Sequence, residues 1–137
     1  MSVRDPDEVE GEATNPFKGK TGLVRIGHAF LNSCAGLSDA WRHESAFRQE
    51  ILLAAVLIPA AFLAPVTAVE RALLVATVLL VVIVELLNTG LEVAIDRISL
   101  EHHSLSRRAK DTGSAAVLVA LVLLALVWAV ILLPLLP

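Results

Sequence analysis

A single cysteine, Cys34, stands among 137 residues. No disulfide can close within the chain, and neither a disulfide-stapled fold nor a cysteine-built zinc site is available to it. Charge is scarce too: 18% of residues are Asp, Glu, Lys or Arg, against about 25% in a soluble domain. Tyrosine is absent, methionine occurs once, and 56% of the chain is hydrophobic, so the composition is not that of an ordinary cytosolic globule. Positive charge is not in excess. Eleven basic residues face 14 acidic ones for a formal charge of -3, which argues against a nucleic-acid partner because no positive field exists to release counterions. Neither G-x-x-x-x-G-K-[ST] nor G-x-G-x-x-G occurs. Any nucleotide chemistry therefore needs a site other than a P-loop or a kinase-type glycine loop.

What the chain does have is apolar length, concentrated after residue 50 and sized for one domain. Ile51 to about Val69 carries no charge, Ala72 to about Ile95 is interrupted only by Glu85, Asn88 and Glu92, and Gly113 to Pro137 carries none. About 20 apolar residues in a helix cross roughly 30 Å of hydrocarbon, so three spans are predicted, with a kink at Pro59 in the first. Ahead of them, Leu23, Ile26, Phe30, Cys34, Leu37 and Trp41 recur at helical spacing opposite Arg25, His28, Asn32, Asp39 and Arg42. This pattern predicts an amphipathic helix from Thr21 to about Arg42 lying in the membrane interface, with Gly27 and Gly36 as weak points. Residues 1–16 are acidic, hold Pro6, Gly11 and Pro16, and lack apolar periodicity. They are expected to be a disordered tail rather than a signal peptide, leaving 17–137 as the membrane domain. The expected fold is all-α: a surface helix plus three transmembrane helices.

Orientation follows from the basic residues. Six precede the first span, four lie between the second and third, and Arg71 alone falls in the remaining loop. The positive-inside rule then predicts a cytoplasmic N-terminus, a cytoplasmic loop over 97–112, and a C-terminus on the far side.

Glu85, Asn88, Glu92 and Asp96 are spaced by three, four and four residues. At 100° per residue they share one face within about 80°, forming a polar stripe from mid-membrane to the cytoplasmic end of the second span. Carboxylates at that depth are costly unless they meet protein, water or a cation. The stripe could bond helices together, conduct ions or protons, or bind a ligand. Carboxylates and an amide oxygen are the hard donors that Mg²⁺ shares with phosphates. Arg97, His102, His103, Arg107, Arg108 and Lys110 follow as donors for phosphate oxygens. Upstream, the run from Trp41 to Glu50 adds Glu44, Arg48 and Glu50 at the interface.

Three segments, Ala40 to Glu50, Val84 to Ile98 and Leu105 to Val117, resemble the prokaryotic diacylglycerol kinase family of small membrane-integral lipid kinases; the resemblance covers about residues 20–132. It implies a surface helix and three membrane helices assembled as a homotrimer in the bacterial inner membrane, with ATP and Mg²⁺ as cofactors and diacylglycerol phosphorylated to phosphatidate. Undecaprenol is the substrate of a close relative of the same fold. By the same resemblance Glu85 is the general base on the lipid hydroxyl, and Glu44 and Glu92 are ligands of the nucleotide's metal ions. Asn88 and Asp96 shape the cofactor site; Glu101, His103, Lys110 and Asp111 belong to a nucleotide-binding loop. Arg25, Arg48 and Ser114 lie near lipid or ATP. In the surface helix the chain departs from the family pattern, with His28, Asn32 and Ala35 where familiar members carry other residues.

Overall fold

The computed structural model describes residues 22–98 and 103–136. They form α1 (Leu23–His43), α2 (Ser45–Leu63), α3 (Ala68–Ile98) and α4 (Ser104–Leu132), closed by a 3-10 turn at Leu133–Leu135. The last three are long and apolar enough to cross a membrane, so the all-α expectation is borne out. Residues 1–16, Glu101 and His102 lie outside the described residues.

The chain divides into two compact units between Gly36 and Leu37, inside α1. In the first, α1 runs unbroken through Gly27 and exposes Leu23, Ile26, Phe30 and Leu31. A helix with this much exposed apolar surface and a polar opposite face suits a membrane interface. In the second unit, α1 ends where Glu44 adopts an extended backbone, φ -107° and ψ 116°. Arg48 closes that corner from α2: its Nη1 donates to the Trp41 carbonyl at 3.0 Å and the Arg42 carbonyl at 3.3 Å, carbonyls that a helix end leaves without partners.

The first membrane helix starts six residues earlier than its hydropathy and stops at Leu63 rather than near Val69. Pro65 explains the stop, because the residue before a proline is pushed out of the α region, and Ala64 is extended at ψ 139°. Arg71 reaches back to this terminus, donating to the carbonyls of Ala61 (3.1 Å), Ala64 (3.2 Å) and Val66 (3.4 Å). A capping box then opens α3. The Thr67 amide and hydroxyl both donate to Glu70 Oε2, at 2.8 and 2.6 Å, and the Glu70 amide donates back to the Thr67 hydroxyl at 3.3 Å.

The centre of the second unit is α3, which packs against both α2 and α4. Val78 and Val81 meet Ala54 from α2 and Ala120 and Leu124 from α4. The alanines let the backbones approach closely, which is how apolar helices gain contact where no water is displaced. Trp128 on α4 donates its indole N–H to the Leu74 carbonyl at 3.2 Å, satisfying a polar atom that lipid could not.

One sequence expectation needs correction here. The stretch 97–112 is not a single loop, for α4 begins at Ser104 and carries Arg107, Arg108, Lys110 and Asp111 in its first turns. His103 caps it, its side chain accepting from the Leu105 amide. Hydropathy sees only where apolar residues begin, whereas cap and propensity set where the helix begins.

Candidate functional site

Three helices converge on a cavity of about 600 Å³. Glu44 enters from the break before α2, where its extended backbone and the absence of any capping bond leave its carboxylate free of the helix end. From α2 come Gln49, Glu50 and Leu53; α3 supplies Glu85, Asn88 and Glu92; α4 supplies Ser114 and an apolar wall of Val117, Leu118 and Leu121. The lining thus combines four carboxylates with aliphatic side chains. A ligand with a phosphate-metal head and a hydrocarbon body matches such a lining.

Two of the carboxylates are deep. Glu85 is 3% exposed and Glu50 8%, and Glu50 Oε2 has no hydrogen-bond partner. Among the described residues the ion pairs join His43 to Asp39 and Lys110 to Asp96; neither reaches Glu44, Glu50, Glu85 or Glu92. Buried carboxylates without a protein cation are expensive, and the expense points to a ligand that supplies positive charge or a proton to share. Next to them, Asn88 Nδ2 donates to Glu92 Oε1 at 3.2 Å, while its Oδ1 is buried with no partner.

A metal ion fits this donor set in one specific way. No three His, Cys, Asp or Glu side chains among the described residues converge to hold a metal unaided. Mg²⁺ bound with a nucleotide needs one or two protein carboxylates, the phosphates and water supplying the rest. Glu44 and Glu92, on facing elements of one cavity, meet that lesser requirement.

The cavity gathers Glu44, Glu85, Asn88, Glu92 and Ser114 from the residues singled out in the sequence. Others lie elsewhere. Asp96, at the end of the same stripe, accepts a 2.6 Å bond from Lys110 Nζ. Arg48 holds the α1 corner, His103 caps α4, and Asp111 is exposed on α4. Arg25 is exposed within the first unit, and Glu101 lies outside the described residues. Glu50 received no role from its sequence, although a signal existed: Glu50, Ala54 and Ala61 recur on one helical face and are all buried. That places a carboxylate on the seam facing α3. Gly113, against Asn88, was likewise unassigned.

With this geometry in place, comparison with known proteins is informative. The family described as prokaryotic diacylglycerol kinase matches residues 31–132. A diacylglycerol kinase of Pseudomonas aeruginosa is 56% identical over 119 residues, covering 87% of this chain and 97% of that protein. One from Escherichia coli K12 is 46% identical over 112 residues, covering 82% and 92%. One from Helicobacter pylori 26695 is 41% identical over 113 residues, covering 82% and 88%. The resemblance drawn from the three sequence segments is borne out.

Proposed function

Because the chain belongs to the prokaryotic diacylglycerol kinase family, we propose that it transfers the γ-phosphoryl group of ATP to the free hydroxyl of diacylglycerol, yielding phosphatidate and ADP. The observation that carries the reading is Glu85: a carboxylate 3% exposed, on the wall of a cavity lined by both carboxylates and aliphatic side chains.

In this reading the lipid enters with its chains against Leu53, Val117, Leu118 and Leu121, and its hydroxyl meets Glu85. The Glu85 carboxylate accepts the hydroxyl proton as the oxygen bonds to the γ-phosphorus and the bond to the ADP oxygen breaks. Glu44 and Glu92 would hold the metal of the nucleotide, and Mg²⁺ there would supply charge neutralisation on the phosphate oxygens. Ser114 offers a hydroxyl beside the substrate, and Asn88 orients Glu92. Lys110 and Asp111, with Asp96, Glu101 and His103, form the nucleotide's polar surround, and Arg25 and Arg48 serve the headgroup region. The site faces the cytoplasm, where ATP is, with the N-terminus on that side; ten of the 11 basic residues lie on those segments. The working assembly is a homotrimer in the inner membrane; the many exposed aliphatic side chains on α2, α3 and α4 suit contact with lipid and with copies of the chain.

Purified protein supplied with ATP and Mg²⁺, and with either short-chain diacylglycerol or a prenol, tests the reading. Phosphatidate formation with little prenol phosphate supports it. Preferential phosphorylation of the prenol moves the assignment to a polyprenol kinase, and no transfer to either lipid removes the kinase reading.

A further inference from the structure

Glycine stands inside the described helices at Gly27, Gly36, Gly90 and Gly113, and at the first three a side chain would meet open space. Gly113 is different. A Cβ there would run into Asn88 Oδ1, with Asn88 Cγ at 3.3 Å and Leu91 Cδ2 at 3.2 Å. Glycine weakens a helix interior relative to alanine, so a glycine in the third turn of α4 calls for a reason, and the reason lies across on α3.

The orientation of the Asn88 amide is fixed by chemistry. The Glu92 carboxylate bonds to Asn88 at 3.2 Å. It is the NH₂ end that donates to Glu92 Oε1, so the oxygen end points the other way, against α4. There Oδ1 is buried without a partner, lying where a side chain of residue 113 would be. Rotating the amide to make room would turn Nδ2 away from Glu92.

We propose that Gly113 is a positioning residue for the phosphoryl-transfer site: by presenting no side chain to α3, it lets the Asn88 amide lie flat against α4 and hold the Glu92 carboxylate toward the cavity. The proposal rests on the reading that Glu92 holds the nucleotide's metal. The lever is the orientation of a ligand by its hydrogen-bond partner, whose loss typically weakens metal affinity or activity by about 10- to 100-fold. Gly113 touches neither lipid nor nucleotide in this account and acts through Asn88 alone.

The test is Mn²⁺ binding, read by electron paramagnetic resonance on detergent-solubilised full-length protein with a non-hydrolysable ATP analogue, so that no turnover is needed. Gly113→Ala is expected to weaken binding by about 10- to 100-fold. Asn88→Ala removes the obstructed group, so Gly113→Ala added to it should weaken binding no further. Leu91→Ala, which clears only the other neighbour, should not restore the Gly113→Ala variant. Parental binding in Gly113→Ala, full additivity with Asn88→Ala, or rescue by Leu91→Ala each overturns the proposal, the last by assigning the effect to packing. Should Gly113→Ala alone not assemble, the double variant decides: it must fold and bind as Asn88→Ala does, and failure overturns the idea. Glu92→Gln is measured alongside. If it keeps Mn²⁺ binding, the metal reading of Glu92 fails and takes the proposal with it; loss in Glu92→Gln without loss in Gly113→Ala overturns the proposal alone.

Discussion

Lys110 on α4 and Asp96 on α3 form a 2.6 Å ion pair that ties the ends of two membrane helices together. Their side chains are 37% and 48% exposed, and exposed pairs contribute little to stability because solvent screens them. Asp96→Asn and Lys110→Met should therefore leave the thermal unfolding midpoint in detergent nearly unchanged. If each also lowers ATP affinity, the loss reports a direct part in nucleotide binding and not a loosened fold. A large drop in the midpoint would make the pair a structural brace instead.

Glu85→Gln keeps the volume of a buried side chain while removing its capacity to take a proton. Turnover should fall by roughly 10²- to 10⁴-fold while nucleotide affinity survives. Glu44→Gln and Glu92→Gln should instead raise the Mg²⁺ requirement and weaken ATP binding, since a metal ligand holds the donor before and during the transfer. A titration of Mg²⁺ with nucleotide affinity and turnover measured in parallel separates the two classes. Equal loss of affinity in all three variants would refute these roles.

Glu50 is a stability cost retained in a working cavity. Its unpartnered Oε2 carries a desolvation penalty of about 1–3 kcal/mol or more, so Glu50→Leu should raise resistance to thermal or denaturant unfolding while lowering lipid phosphorylation. Unfolding curves and initial rates on the same preparations check this. A variant that is both less stable and fully active would contradict it.

Arg71 serves three carbonyls at the C-terminal end of α2, and a planar fork of donors is needed to reach them together. Arg71→Met should destabilise by roughly 1.5–3 kcal/mol, the scale of hydrogen bonds to a charged donor, and Arg71→Lys should recover only part of it. Rates per folded protein should not change, because the cavity is lined by none of these groups. An activity loss without destabilisation would show that the capping description is incomplete.

Much of this organisation is legible in the residues alone, and the exceptions share a cause. Glu85, Asn88 and Glu92 reach the cavity as their spacing implies, since helical periodicity dictates which face a residue occupies. Asp96 lies on the same face yet pairs with Lys110, because its partner arrives from another helix and periodicity says nothing of neighbours. Glu50 went unassigned for the same reason: its significance lies in being enclosed with Glu85. The ends of α2 and α4 were misplaced because a hydropathy run ignores Pro65 as a stop and His103 as a cap.

The length of α3 sets depths. Arg71, tied to the end of α2, marks one margin, and at 1.5 Å per residue Glu92 stands about 32 Å further along and Glu85 about 21 Å. The hydrocarbon is roughly 30 Å thick, so an upright α3 brings Glu92 level with the water while Glu85 stays about 10 Å beneath it. With the roles proposed for Glu92 and Glu85, the helix is a ruler whose nucleotide end is graduated in water and whose lipid end is graduated in oil. A thicker bilayer would submerge Glu92, and a thinner one would flood Glu85. On the roles proposed for Glu85 and Glu92, turnover is expected to follow the acyl length of the surrounding membrane as well as the lipid offered.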